Sequence, residues 1–311
     1  PDDFNTQIYE TSSTFNWSPV NGLKQENSSS GYKLLVTEDA EYKIIVSSYN
    51  IDKDIGSQTI ENLTRNTGYY YKFSVLNSIG VESFIPGSFY TLTSKPSNFK
   101  IINYSSSSVR AGWNRFPSSP PSDTALLFRL EASTTNNFIN IISSITYDMS
   151  ISTLSIDTLD SNTTYYFRVG AFNMAGYSNY SDILSTLTLS MPIHDSTIEY
   201  IKTPRSITAV FPNSPKNFEP LTSYGYSFEI STNNFFSVYL SSYTPDVDDN
   251  SLTISGLRPN TTYYLRLATY NRSMVPNYSE IRKELTPLPQ ISPDVFVTYY
   301  SSNTVSIHYS T

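Results

Sequence analysis

The chain has 311 residues, a length that suits two or three domains, and no cysteine, so neither disulfides nor thiolate metal sites hold it together. Only 15% of residues are charged, the net charge is −7 and the isoelectric point is about 4.9, with no run of Lys or Arg; this excludes the basic stripe that nucleic-acid binding requires. No stretch is apolar for long enough to cross a bilayer as a helix.

Along the chain, Phe15-x-Trp17, Tyr32-x-Leu34-x-Val36 and Ile44-x-Val46 alternate with period two and predict half-buried strands, with a turn at Asn21-Gly22. Next comes Leu63-x-x-Asn66-Thr67-x-Tyr69-Tyr70-Tyr71-Lys72-Phe73. Here Thr67, Tyr69, Tyr71, Phe73 and Val75 share one face, while Tyr70, Lys72 and Ser74 share the other. Asn77 closes this segment, and Thr93-Ser94-Lys95-Pro96 leads away from it.

The pattern then restarts. Trp113 stands 96 residues after Trp17, the turn Pro117-Ser118-Ser119-Pro120-Pro121 precedes the strand Leu126-x-Phe128-x-Leu130, and Ser143-Ser144 repeats Ser47-Ser48. Leu159-x-x-Asn162-Thr163-x-Tyr165-Tyr166-Phe167-Arg168-Val169 restates the long motif, closed by Asn173 and followed by Thr188-Leu189-Ser190-Met191-Pro192. A third round comes 98 residues later: Phe211, Tyr226-x-Phe228-x-Ile230, Ser241-Ser242, then Leu257-x-x-Asn260-Thr261-x-Tyr263-Tyr264-Leu265-Arg266-Leu267, Asn271 and Thr286-Pro287-Leu288-Pro289. Tyr309 follows Phe211 by a further 98. No window carries a helical stripe.

A period near one hundred residues belongs to a whole domain, because solenoid and propeller repeats are far shorter. The expected domains are 1–94, 95–190 and 191–288, with 289–311 supplying the first strands of a partial fourth. Two strands cannot bury a sandwich core alone, so the chain reads as a window on a longer array, or as a subunit whose last domain another chain completes. It opens at Pro1 without a methionine or signal peptide, as a processed protein or an excised segment would. Proline in each linker stiffens it, so a semi-rigid rod is expected, with each unit roughly 30 to 35 Å long from the strand rise.

About seven short strands per hundred residues without helices predict an all-β fold of antiparallel sandwiches. Trp17 or Trp113 on an early strand, then Leu-x-x-x-Thr-x-Tyr on a late one, then Asn and Gly, resembles the fibronectin type III pattern over essentially the whole chain. The resemblance implies tandem seven-stranded immunoglobulin-like sandwiches, with Trp17, Trp113 and Phe211 as core aromatics. It also implies that Tyr69, Tyr165 and Tyr263 form the tyrosine corner, each hydroxyl bonding to backbone. Two positions depart from the family pattern: Phe211 replaces the early Trp, and Met274 stands where Gly80 and Gly176 stand. Glu131 to Phe138 and Glu229 to Phe235 resemble bacterial members of the family, particularly those of surface proteins. No Arg-Gly-Asp triplet is present, so integrin binding is dropped.

No catalytic set is expected. The two histidines, His194 and His308, fall in different units, and no nucleophile, base and orienter recur together. Asp246-Val247-Asp248-Asp249-Asn250 concentrates hard oxygen ligands, but an EF-hand loop counted from Asp246 would need Gly and Glu where Ser251 and Leu257 stand; a solvated turn is the expectation. No metal or other cofactor is implied. Nine sequons occur, at Asn16, Asn27, Asn62, Asn103, Asn162, Asn179, Asn260, Asn271 and Asn277. With 26 Asn and 84 Ser plus Thr, chance supplies about seven, so their number says nothing about glycosylation. The remaining surface feature is an outward pair repeated on the same strand: Tyr70 with Lys72, Tyr166 with Arg168 and Tyr264 with Arg266. Ring and cation two residues apart share a face and are placed to stack, either as mere cover for the sheet or as a contact ladder for carbohydrate or a copy of the chain.

The functional reading is a non-catalytic extracellular structural array: a stalk, surface fibre or filament component. The alternative is an adhesin or a carbohydrate- or protein-binding accessory segment of a larger secreted or surface protein. A eukaryotic receptor ectodomain gains no support from the cysteine-free composition. Expected partners are proteins, including copies of the chain, with carbohydrate the second class and no membrane insertion within this segment.

Overall fold

The computed structural model describes residues 3–20, 29–212, 223–290 and 296–308. Asn27, the Asn21-Gly22 turn, Tyr309 and the His308 side chain lie outside the described residues. Packing divides the chain into two compact units. The first comprises Pro1–Asn103, Val109–Ile156 and Tyr165–Ser185, and the second Tyr104–Ser108, Asp157–Thr164 and Thr186–Thr311. No α-helix occurs among the described residues; outside the strands there are two three-residue 3-10 turns, Pro121–Asp123 and Asp195–Thr197.

The first sandwich uses strands β1 (Asn5–Ile8), β2 (Ser13–Asn16), β3 (Gly31–Thr37), β4 (Ile45–Ile51), β5 (Ser57–Ile60), β6 (Gly68–Leu76) and β7 (Glu82–Tyr90). One antiparallel sheet has the order β1-β2-β5 and the other β4-β3-β6-β7. The period-two reading of the long motif holds. Tyr69 and Phe73 are buried, Tyr71 and Val75 pack against the core, and Tyr70 is exposed on the opposite face. Phe73 lies between the sheets, its ring 4.7 Å from Trp17, 4.8 Å from Phe4 and 5.6 Å from Tyr32.

The second sandwich repeats this order with β8 (Lys100–Tyr104), β9 (Val109–Gly112), β10 (Leu127–Ser133), β11 (Ile142–Thr146), β12 (Thr153–Ile156), β13 (Thr164–Phe172), β14 (Ser178–Tyr180) and β15 (Leu184–Leu187). Its sheets run β12-β9-β8 and β11-β10-β13-β14, with β15 also on β13. The third sandwich uses β16 (Glu199–Lys202), β17 (Ser206–Val210), β18 (Tyr226–Ser231), β19 (Leu240–Thr244), β20 (Ser251–Ser255), β21 (Thr262–Tyr270), β22 (Pro276–Tyr278) and β23 (Arg282–Leu285) in the same arrangement. A hairpin of β24 (Phe296–Tyr300) and β25 (Val305–His308) follows.

The expected seventh strand is continuous only in the first sandwich. In the others it breaks at Ser181 and Ser279, whose hydroxyls accept the Val169 and Leu267 N–H groups at 3.0 Å. A side-chain oxygen takes an N–H that would otherwise pair with the last strand, and the ladder divides there. The two departures from the repeat are accommodated locally. Met274 adopts φ 60°, the left-handed turn that Gly80 and Gly176 adopt at 78° and 84°. Phe211 is buried like Trp17 and Trp113, and it lacks the indole N–H that is buried without a hydrogen-bond partner at both Trp residues.

Because Phe73 is fully buried among three aromatic rings, Phe73→Ala removes both transfer energy and contacts. It is expected to cost about 3–5 kcal/mol, seen as a lower urea midpoint for the first sandwich while the transition of the third stays in place.

Candidate functional site

On the outward face of the long strand, register places Glu131 opposite Arg168 and Glu229 opposite Arg266. Arg168 donates from Nε to Glu131 Oε2 at 2.8 Å, while Arg129 Nη2 at 2.5 Å and the Tyr180 hydroxyl at 2.9 Å reach Oε1. The Arg168 guanidinium lies 3.7 Å from the Tyr180 ring centre and 4.0 Å from that of Phe138. The third sandwich repeats the arrangement: Arg266 pairs with Glu229 at 2.6 Å and lies 3.8 Å over Tyr278 and 4.1 Å over Phe236. The first sandwich carries a weaker form. Leu35 stands opposite Lys72, whose ammonium lies 4.0 Å over Phe84 and 3.9 Å from Glu82, a carboxylate supplied by β7.

The expected stacking of each cation on the Tyr two residues before it is therefore replaced. Arg168 and Arg266 stack on rings brought from neighbouring strands and loops, not on Tyr166 and Tyr264. The reason is the fully buried Glu131 and the nearly buried Glu229, which draw each guanidinium inward and across the sheet. The cations are largely used within their own sandwich, and of the ladder Tyr70 is exposed while Tyr166 and Tyr264 are half-buried.

The hydroxyls of Tyr69 and Tyr263 bond to backbone. The Tyr69 hydroxyl accepts the Thr64 N–H at 2.9 Å and the Tyr263 hydroxyl accepts the Arg258 N–H at 3.0 Å; Tyr165 is buried at the matching position. The acidic loop after β19 is closed locally: the Asp246 carboxylate accepts the Asp248 N–H and Asp249 accepts the Thr244 hydroxyl. His194 precedes the short Asp195–Thr197 turn and accepts the Thr197 hydroxyl on its carbonyl.

A constellation not foreseen from the sequence joins successive sandwiches, and each compact unit holds one copy. In the first unit, Asn173 Nδ2 donates to the Thr91 carbonyl at 2.9 Å, Asn179 Nδ2 donates to the Thr93 carbonyl at 3.0 Å, and Asn66 Oδ1 accepts the Met174 N–H at 3.2 Å. In the second unit, Asn271 Nδ2 donates to the Thr188 carbonyl at 3.2 Å, Asn277 Nδ2 to the Ser190 carbonyl at 2.7 Å, and Asn162 Oδ1 accepts the Arg272 N–H at 2.8 Å. Each junction thus uses the same three asparagines, one from the earlier sandwich and two from the later. Their constant spacing was visible, but nothing in one sequence told a junction from a turn. Four sequon asparagines, Asn162, Asn179, Asn271 and Asn277, are engaged in this way.

Residues 94–187 match the family model of the fibronectin type III domain. The chain carries a fibronectin type III domain. The sandwiches on either side of it repeat its strand order and its asparagine turn. A tyrosine-protein phosphatase Lar-like of Caenorhabditis elegans is 30% identical over 146 residues, 45% of this chain and 6% of that protein. A Kelch domain-containing protein of Saccharolobus solfataricus is 27% identical over 207 residues, 64% of this chain and 25% of that protein. The chain thus spans only a small part of either relative's length. The chicken CNTN1 FN1-FN3 crystal structure aligns with 92% of this chain and 97% of its own at 14% identity, with a TM-score of 0.30, too low to bear on domain arrangement or function.

Removing the Glu229 carboxylate strands Arg266 between two rings. Glu229→Ala is expected to cost about 3 kcal/mol of third-sandwich stability in urea unfolding, and Glu229→Leu with Arg266→Leu recovers most of the loss. The Tyr278 phenol is pushed up to about 12, first by burial and then by the Glu229 carboxylate. It holds its proton more tightly folded than unfolded, so its contribution is complete below the ordinary phenol range near 10 and disappears as pH rises through about 12. Alkaline unfolding monitored by phenolate absorbance should therefore steepen in that window, and Tyr278→Phe should flatten it.

Proposed function

We propose that the chain is a non-catalytic extracellular structural array, a stalk, surface fibre or filament component, built of three fibronectin type III domains with a fourth begun at residues 289–311. The observation that carries this reading is the three-asparagine junction, repeated in both compact units. A linker that only tethered independent binding heads would need no such bonds. These side chains satisfy backbone groups across the junction, with Pro96 and Pro192 beside them to stiffen the linker. An extracellular setting is supported by the common occurrence of this domain family outside cells and by a surface whose polarity comes from Ser, Thr and Asn. No helix among the described residues is long and apolar enough to cross a membrane. Protein partners, including other copies, suit the exposed Tyr70 and the half-buried Tyr166 and Tyr264, with carbohydrate the second class.

The alternative is an adhesin or a binding accessory segment, and one feature favours it. The third sandwich exposes Phe235 at 86% and Val238 at 78%, beside Tyr239, Leu240 and Tyr243 on the loop and edge strand β19. Exposed apolar and aromatic side chains gathered on one loop and edge strand are a feature of protein-contact surfaces.

Backbone ¹⁵N relaxation separates the two readings. A structural array should show the first and second sandwiches tumbling as one body, and Asn173→Ala should let them tumble independently while leaving each folded. Independent tumbling of the unaltered protein, together with saturable binding in glycan or protein screens that Phe235→Ser abolishes, would replace the array with the binding segment.

A further inference from the structure

A sheet edge that no strand covers offers a row of unpaired N–H and carbonyl groups, and folded proteins guard such edges with charge, proline or polar side chains. In the third sandwich most edges are guarded. Strand β16 carries Glu199 and Lys202, β22 opens with Pro276, and β23 carries Arg282, Lys283 and Glu284. Strand β20 turns Ser251, Thr253 and Ser255 to solvent. Strand β19 has no such guard. Among the described residues it pairs with β18 alone, and no charged residue stands between Glu229 and Asp246.

Apolar groups flank both faces of this edge. Register places Leu240 opposite Ile230 on the inward face and Tyr243 opposite Ser227 on the outward one. Val238 and Leu240 border a groove that reaches Ile230, Leu257 and Tyr263. The exposures of Phe235, Tyr239 and Tyr243, at 86, 48 and 47%, correspond to roughly 270–450 Å² on ordinary aromatic areas. Val238, Leu240 and the open main chain bring one side toward the roughly 600 Å² of a small transient contact, short of the about 800 Å² of a stable one. The matching edge β11 also lacks charge, but isoleucines Ile141 and Ile145 stand where Tyr239 and Tyr243 stand.

We propose that β19 of one molecule pairs antiparallel with β19 of a second copy of this chain, about a two-fold axis at Ser241. Charge selects this partner and this direction. The chain carries a net charge of −7, so two copies repel least where neither presents a charged group. Antiparallel pairing sets the acidic loops that begin at Asp246 at opposite ends of the contact, whereas parallel pairing would place them side by side. On the outward face Tyr239 of each copy then stands opposite Tyr243 of the other, a cross-strand aromatic pair made twice. The two sheets become one across the axis, and the modest area makes the dimer weak and dependent on concentration. The proposal takes its class of partner from the array reading and names the surface through which copies meet.

Sedimentation velocity of the full chain from micromolar to millimolar concentration tests it, with Ser241→Lys, Ser241→Glu and their equimolar mixture. The unaltered chain should pass from monomer to dimer and stop there, because a two-fold contact closes on itself. Ser241 is exposed, so both variants should keep the circular dichroism and urea midpoint of the unaltered protein. Each alone sets two like charges face to face on the axis and should associate at least about 10-fold more weakly. Mixing them places opposite charges there and should restore a mixed dimer. Ser143→Lys, at the matching exposed position on β11, should leave association unchanged. A chain that stays monomeric throughout or climbs past the dimer overturns the edge contact. So do dimers that persist in both Ser241 variants, or an equal loss with Ser143→Lys. The array reading fails separately, if relaxation shows loose internal junctions.

Discussion

Backbone N–H and carbonyl groups at the end of a sandwich have no strand beside them, and a neighbour stacked on that end would bury them unpaired. This constraint explains the placement of asparagine in the chain. An asparagine side chain copies the backbone amide, offering one acceptor and two donors, so it can close its own turn with the oxygen and pair with the adjoining domain through the nitrogen. Asn173 and Asn271 do both. Asparagine also tolerates the left-handed backbone that Asn66, Asn162 and Asn260 adopt, where most residues would be strained.

The long strand that ends in this turn organises the rest of each sandwich. Its inward residues carry the aromatic core, and its corner tyrosine ties the preceding loop to the strand. Its outward face is closed by the arginine held between two rings and a buried glutamate. A carboxylate is buried at little net cost only when charge and hydrogen bonds are supplied together, and Glu131 receives two guanidinium groups and a phenol. In the first sandwich Leu35 takes the acid's position and Lys72 the arginine's, so the ion pair shifts to Glu82 on β7. The outer face varies between repeats while the inner face stays aromatic, as expected if the core sets the fold and the outer cage only tightens it.

Both departures from the repeat obey the same logic. Met274 adopts φ 60° within the turn that the Asn271 side chain closes between β21 and β22. Phe211 keeps the buried ring and drops an indole N–H that finds no acceptor in the other two sandwiches. In each case the constraint comes from shape and hydrogen bonding at that position, not from residue identity.

Much of the architecture was legible in the chain itself. Period-two alternation separates inside from outside because a strand's side chains must alternate, and three copies of one motif at steps of 96 and 98 residues establish a domain repeat. The core aromatics stand at the repeated positions, and the corner role of the tyrosines is what the resemblance to the fibronectin type III pattern implies. The stacking partners of Arg168 and Arg266 were not legible there, since Phe138, Tyr180, Phe236 and Tyr278 reach them across strand register and through loops, and spacing along one strand carries no information about either. The junctions were hidden for a related reason. The asparagine spacings were constant, but whether a polar side chain meets its own turn, water or the next domain depends on how two folded ends come together, and only the tertiary structure decides that.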